Sequence, residues 1–426
     1  MASDTRRLRV GIIGGGLAGA GVANALIQSP HLDVHVFESA PEFSERGAAI
    51  GLSANAQLAL REITPSAEDS MRKAGGVPMN SSRIMVGSGE QAGTLVFDLA
   101  GAGMDPGIIF HRASLLRELL APLPQHVLHP HKRLDVITPQ DDGSVAVSFA
   151  DGTVLTFDAV IGADGISSSV RSHVLGEEAF KHAATPGGFW DARALVSLDK
   201  AKATLGEDLF ELDRQYGWAG DGAFIMHDVL EDRSLVQVVV SAVEHDHPTD
   251  RKRPLTKDVL DAKFKNWPDI PVAQGVKQLL LDDAEPVAWS QWEHKSTPTY
   301  ANHHVCIVGD AAHATTPWQG AGAGQALEDA MILGALFSKV RSASDVAAAF
   351  KAFDAVRRPR AQQVIDSSRG TGAIMCGQDR ELGLDATKLA GGLAPRWGFI
   401  FALTMTDHKE QALAQLHEFQ KRNVAL

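Results

Sequence analysis

The sequence predicts an α/β protein: a Rossmann-type dinucleotide-binding domain, interleaved with a second domain on an antiparallel-rich sheet and followed by a C-terminal helical segment. Three observations carry this expectation. Val10-Gly11-Ile12-Ile13 reads as a buried strand, and Gly14, Gly16 and Gly19 then fill G-x-G-x-x-G ahead of an apolar helix pattern through Ala25-Leu26-Ile27. Val34-His35-Val36-Phe37-Glu38 follows about twenty residues on, as a second strand ending in an acid. A strand-then-turn signature returns at Val305-Cys306-Ile307-Val308-Gly309-Asp310, beyond a region of alternating strands such as Leu235-Val236-Gln237-Val238-Val239-Val240.

Each part of the first motif has a physical task. Gly14 permits the tight turn, Gly16 lets the backbone approach a pyrophosphate, and Gly19 lets helix and strand pack closely. The helix start offers free N–H groups and partial positive charge to that pyrophosphate. Glu38 is placed to accept from a ribose hydroxyl.

Composition narrows the function classes. A chain of 426 residues suggests two or three domains, and its hydrophobic fraction of 44% is that of an ordinary globular protein. The densest late apolar run, Trp397-Gly398-Phe399-Ile400-Phe401-Ala402-Leu403, is far too short to span a membrane. Arg6, Arg7 and Arg9 are followed at once by strand and turn, so no secretion signal is expected. A net charge of −12 argues against nucleic-acid and anionic-membrane partners. Only Cys306 and Cys376 occur, in unrelated contexts, which fits a reducing cytoplasm and no metal or disulfide framework.

Along the chain, Phe43 to Leu52 is a glycine-rich loop carrying Arg46, a residue equally suited to phosphate or to water, and Ser53 is a candidate N-cap for a helix from Ala54 to Ile63. Residues 76–105 read as a hairpin. A helix over 111–120 begins with Arg112, at the end where the macrodipole disfavours a cation, which points to a ligand there or to a solvated side chain. Three strand-like runs lead to Asp158-Ala159-Val160-Ile161-Gly162-Ala163-Asp164-Gly165 and a helix carrying Ser168 and Arg171. Gly320-Ala321-Gly322-Ala323-Gly324 opens another helix, and the tail from Ser342 reads as helical with breaks at Pro359 and near 370. The expected division is 1–75, 106–182 and 285–355 for the nucleotide domain, 76–105 and 183–284 for the second domain, and 356–426 for the helical segment.

Gly14 to Gly19 with Glu38, Asp164-Gly165 with Ser168 and Arg171, and Gly309-Asp310 before Ala311-Ala312-His313 and Pro317 together resemble the single-component, group A, FAD-dependent aromatic hydroxylases of the para-hydroxybenzoate hydroxylase type. The stretch from Gly309 to Ala330 looks most like fungal salicylate hydroxylases. The resemblance implies that Gly14, Gly16, Gly19 and Glu38 hold the adenosine-pyrophosphate end of FAD, and that Arg112, and Arg46 with it, lie near the cofactor. It implies that Asp310 binds the ribityl hydroxyls and that the Gly322, Ala323, Gly324 helix start faces the flavin edge that becomes anionic on reduction. Asp164 takes either a cofactor role or a structural one.

The implied activity is a monooxygenase that uses NADH or NADPH and O2 to hydroxylate a phenolic aromatic acid, with salicylate to catechol as the leading reaction. Hydroxylation or dearomatisation of another phenol is an alternative, and a flavin oxidase or dehydrogenase is a third reading. Arg193 is the first candidate for facing a phenolate or carboxylate, with an edge-strand surface residue as the bland alternative. His227 is a candidate acid or base, or else a satisfied core histidine. Pro317 is expected beside the reactive edge of the flavin. The partners expected are a small aromatic substrate and O2, in a monomer or homodimer.

Overall fold

The computed structural model describes residues 6–44, 49–99, 107–246 and 250–424. Its first layer is a six-stranded sheet in the order Ala301–Asn302, Val305–Ile307, Ala159–Gly162, Leu8–Ile13, Leu32–Phe37, Leu128–His129, parallel except for the first pair. Val10, Ile12, Val36, Val160, Ile161 and Ile307 are almost wholly buried, the pattern of a parallel sheet covered on both faces. Helix Leu17–Ile27 packs on it and helix Gly322–Phe337 packs on that helix, with Gly334 lying against Ala25. The three runs before Asp158 form a small antiparallel sheet of Leu134–Pro139, Val145–Phe149 and Val154–Phe157.

The second layer is an eight-stranded sheet in the order Lys252–Pro254, Val287–Glu293, Thr185–Ser197, Leu235–Val243, Ala223–Leu230, Arg214–Gly220, Ser81–Val86, Leu95–Asp98. All its pairs are antiparallel except Arg214–Gly220 with Ser81–Val86. The hairpin of 81–98 is thus one edge of this sheet. The opposite region differs from expectation: Val287–Glu293, assigned from sequence to the nucleotide domain, pairs with Thr185–Ser197. It adds to the free edge of Thr185–Ser197, and the chain crosses between layers only after Glu293.

The two faces of the eight-stranded sheet have different fates. Trp190, Ala192, Ala194, Tyr216, Trp218, Ile225, Val238 and Val240 turn toward helices Leu198–Leu205 and Pro271–Leu281 and make one core with them. Phe189, Phe224 and Val243 turn the other way, toward Trp318 and the end of helix Val346–Met375. That helix is continuous for 30 residues through Pro359, where a break was expected. A proline removes one helical hydrogen bond and crowds the preceding turn. Here Arg357 and Arg360, on either side of it, are tied to carboxylates of helix Gly322–Phe337, and those tertiary bonds hold the helix through the lesion. The glycines near 370 stay helical too. A Cβ at Gly372 would run into the Trp318 indole, so glycine here lets a helix meet a tryptophan. Among the described residues no helix is long and apolar enough to cross a membrane.

Candidate functional site

Four parallel strands end on the same edge of the six-stranded sheet, and each end carries an expected residue: Gly14 after Leu8–Ile13, Glu38 after Leu32–Phe37, Asp164 after Ala159–Gly162, and Asp310 after Val305–Ile307. Ligands of open α/β sheets bind at the carboxyl ends of the strands. Gly14 has φ of +107°, and a Cβ on it would collide with the carbonyl of Ala163. The first motif therefore turns directly against the second. A Cβ on Gly19 would strike the Gly14 carbonyl, so helix and turn meet as the spacing predicts. The third motif joins them, because a Cβ on Gly309 would stand 2.7 Å from Ala18 Cβ.

Arg171 locks the second motif to the third. Its Nη1 donates to the carbonyls of Ala311 and Ala312 at 3.0 and 3.1 Å, and its Nη2 donates to His182 O and Thr297 Oγ1, both at 2.9 Å. The side chain is buried, and burial pushes its pKa down to about 10. Asp164 is committed to its own helix. Its carboxylate accepts from Ser168 Oγ, from Ser169 N at 2.8 Å and from Val170 N at 3.2 Å, capping the helix Ser169–Leu175. Burial raises its pKa, while these hydrogen bonds pull the other way. Of the two roles open in the sequence, the geometry displays the structural one.

Glu38 accepts from Gly15 N at 2.8 Å through Oε2 and from Ala40 N at 2.8 Å through Oε1, so its carboxylate sits on the glycine turn. Gly16 is the N-cap of Leu17–Ile27 and provides no side-chain cap. Gly322, Ala323 and Gly324 begin the helix Gly322–Phe337, which has neither a side-chain cap nor an acid in its first turn. Among the described residues, nothing outside its own helix turn lies within 4 Å of the Cβ position on Gly322. Asp310 is exposed at the sheet edge, and Arg112 opens the helix Arg112–Leu120 next to a strand that pairs with Ala49–Leu52. Two uncapped helix starts, a glycine-cleared turn and two acids at the ends of parallel strands fit the parts of FAD: N–H groups for pyrophosphate and for the anionic reduced edge, carboxylates for hydroxyls. Arg46 lies outside the described residues.

The helix start is anchored from beneath by a buried charge network that sequence reading missed. Asp329 Oδ2 accepts from Gly309 N at 2.9 Å and lies 2.6 Å from His313 Nε2. Arg357 donates from Nε to Asp329 Oδ1 at 2.8 Å and from Nη1 to Glu328 Oε2 at 2.6 Å. Arg360 bridges both Glu328 oxygens, at 2.8 and 2.9 Å. Burial alone would raise the Asp329 pKa, but His313 and Arg357 hold it down to about 2. The signal was present in adjacent acids inside an apolar helix and arginines flanking Pro359, but only packing pairs them.

The candidates for substrate chemistry separate. Arg193 projects from the sheet face that carries Phe189 and Asp191; it stands opposite Val239, which in turn stands opposite Met226. The side chain is 41% exposed, and its Nη2 donates to Asp191 Oδ2 at 2.8 Å. Pro317 is exposed and opens the turn Pro317–Gln319. Next to it Trp318 packs edge-on to Phe189, with ring centroids 4.9 Å apart, and reaches Phe224. This face of the sheet, with Arg193 on it, looks toward the loop that joins Asp310 to the helix start.

His227 does not belong to this group. It pairs with Val238 and Tyr216, so alternation points it to the opposite face, where Phe210, Tyr216 and Trp218 surround it. It is fully buried, neither ring nitrogen has a hydrogen-bond partner, and burial drives its pKa down to about 3. Of the two readings open in the sequence, the geometry displays the core histidine, on the face of the sheet away from Arg193 and Trp318.

Residues 7–368 match the family model described as an FAD binding domain. The chain is 37% identical over 399 residues to the 6-methylsalicylate 1-monooxygenase of Aspergillus terreus, covering 90% of this chain and 86% of that protein. It is 30% identical over 437 residues to a salicylate hydroxylase of Pseudomonas putida, covering 98% and 97%. The fold superposes on a salicylate hydroxylase substrate complex with a TM-score of 0.80 at 26% identity, over 95% of this chain and 98% of that one. The converging motifs and these likenesses agree, and the chain belongs to the FAD-binding family of single-component, group A aromatic hydroxylases, with FAD as its cofactor and NAD(P)H as the co-substrate typical of that family.

Proposed function

We propose that this hydroxylase acts on a phenolic aromatic acid, with salicylate or a ring-methylated salicylate as the preferred substrate. The reaction consumes one NAD(P)H and one O2, places one oxygen atom on the ring carbon that loses CO2, and releases the other as water, so that salicylate gives catechol. The observation that carries the reading is Arg193: a half-exposed guanidinium, paired with Asp191, on the sheet face opposite the flavin loop. An arginine fork matches a carboxylate, and beside an ortho hydroxyl it favours the phenolate, the electron-rich form the reaction needs. The 6-methylsalicylate and salicylate enzymes among its relatives support the same substrate class.

FAD, when bound, accepts hydride from NAD(P)H and activates O2. The chain supplies the rest. Gly322 to Gly324 present N–H groups to negative charge at the reduced edge. Trp318, Phe189 and Phe224 form an apolar wall that excludes water. Arg193 holds the acid end of the ring, and Pro317 shapes the loop beside it. The enzyme is read as cytoplasmic, and as a monomer or homodimer.

The test is NAD(P)H oxidation with a phenol panel, measuring catechol and CO2 directly. Arg193→Ala should retain FAD yet weaken salicylate binding at least about tenfold, the worth of a charge-assisted hydrogen bond. Salicylate binding and coupling unchanged in that variant would remove Arg193 from the site. Flavin reduced anaerobically by an amine, without NAD(P)H, would favour an oxidase instead.

A further inference from the structure

We propose that Asp191 is a positioning residue that fixes the direction of the Arg193 guanidinium and offsets its charge, and so makes this site selective for how a carboxylated ring is held. The inference rests on the reading of Arg193 as the receptor for the substrate acid. Asp191 is buried, with a side chain 6% exposed, while Arg193 beside it is 41% exposed. Three adjacent strands converge on this one carboxylate. Its Oδ1 accepts from Ser241 Oγ on Leu235–Val243 and from Gln291 Nε2 on Val287–Glu293, both at 2.6 Å. Its Oδ2 accepts from Arg193 Nη2 at 2.8 Å.

A buried carboxylate is costly unless its lone pairs are satisfied, and here neutral donors from both neighbouring strands satisfy them. The carboxylate is thereby immobile, and the arginine it holds inherits that immobility. A long, half-exposed arginine would otherwise sample many rotamers. With Nη2 tethered, the exposed part of the fork projects from the sheet face in one orientation. The pair is close to neutral as a unit. A substrate acid is therefore recognised by hydrogen-bond direction more than by net attraction, and direction is what places the ring carbon for oxygen transfer.

The experiment compares wild type and Asp191→Asn as FAD-loaded enzymes, with salicylate and with salicylaldehyde, whose uncharged formyl group can leave the same ring carbon as formate. Two quantities are read: the flavin absorbance change on ligand binding, and the fraction of NAD(P)H recovered as hydroxylated product rather than peroxide. The variant should bind salicylate within about fivefold of wild type, since the cation that meets the substrate carboxylate remains. Its coupling with salicylate should fall about tenfold, because a misaligned ring wastes the oxidant. Coupling with salicylaldehyde, which offers the fork no charge, should hold. Ser241→Ala, which removes one support and leaves the carboxylate, should show the same pattern at smaller size if Asp191→Asn folds poorly. Equal loss of coupling with both ligands, or no loss with salicylate, would overturn the role of Asp191. A wild type whose flavin spectrum responds to neither ligand would overturn the substrate reading itself.

Discussion

Arg357 Nε donates to Asp329 Oδ1 at 2.8 Å with neither side chain exposed to solvent. The same carboxylate accepts from Gly309 N, so an arginine on Val346–Met375 is one bond removed from the turn that presents Asp310. Arg357→Met should leave two buried carboxylates short of a partner and lower stability by about 3–5 kcal/mol, as breaking a buried ion pair does. Thermal unfolding of the purified variant reads this directly; a melting temperature within a degree of wild type would contradict it.

Arg171 makes its bonds to Ala311 and Ala312 with one nitrogen and to His182 and Thr297 with another. Lysine cannot span those acceptors with a planar fork. Arg171→Lys should fold but hold the Gly309–His313 turn loosely, and apoprotein titrated with FAD should bind about tenfold more weakly, a change of about 1.4 kcal/mol.

Gly14→Val should yield apoprotein. The valine would meet the Ala163 carbonyl, at a φ that β-branched residues avoid. Purified variant with full yellow occupancy would refute the placement of the pyrophosphate at this turn.

His227→Phe tests the separation of the sheet faces. The ring joins an aromatic cluster of Phe210, Tyr216 and Trp218, so phenylalanine preserves the packing and removes two unpaired nitrogens. Activity and coupling should be unchanged and stability equal or higher. A large loss of kcat with normal substrate binding would return His227 to the chemistry.

Acid should destabilise the fold early. Burial lowers His227 and His294 to about 3 and His408 to about 4, against an ordinary value near 6.5. For each, the unfolded chain binds the proton more readily, so the stabilising contribution is complete above about pH 6.5 and declines as pH falls toward the folded value. Buried Asp228 opposes this, since burial raises it to about 6 and its contribution is lost as pH rises from about 4 to 6. Burial also lowers His129, His173 and His304 and raises Asp164 and Glu293, so lowered histidines outnumber raised carboxylates and stability should fall between about pH 6 and 4. Denaturant midpoints across that range should fall with pH, and His227→Phe should make the slope shallower.

The sequence by itself determined the nucleotide-binding edge. Gly14, Gly19, Glu38 and Asp310 were legible because a tight turn, a close helix approach and a strand-end acid each demand one residue type at one spacing. Local rules of that kind survive folding unchanged. Tertiary structure decided what local rules leave open. His227 and Arg193 both lie on strands, and only register against Val238 and Val239 sends one to the aromatic core and the other to the face that carries Phe189 and Phe224. Val287–Glu293 joined the eight-stranded sheet because an unpaired strand lay there to receive it. Helix Val346–Met375 runs through Pro359 because Glu328 and Asp329, some thirty residues away, hold the arginines beside it. Charges and strands bought no partner from their sequence neighbours; their partners came from packing, which no window of the chain contains.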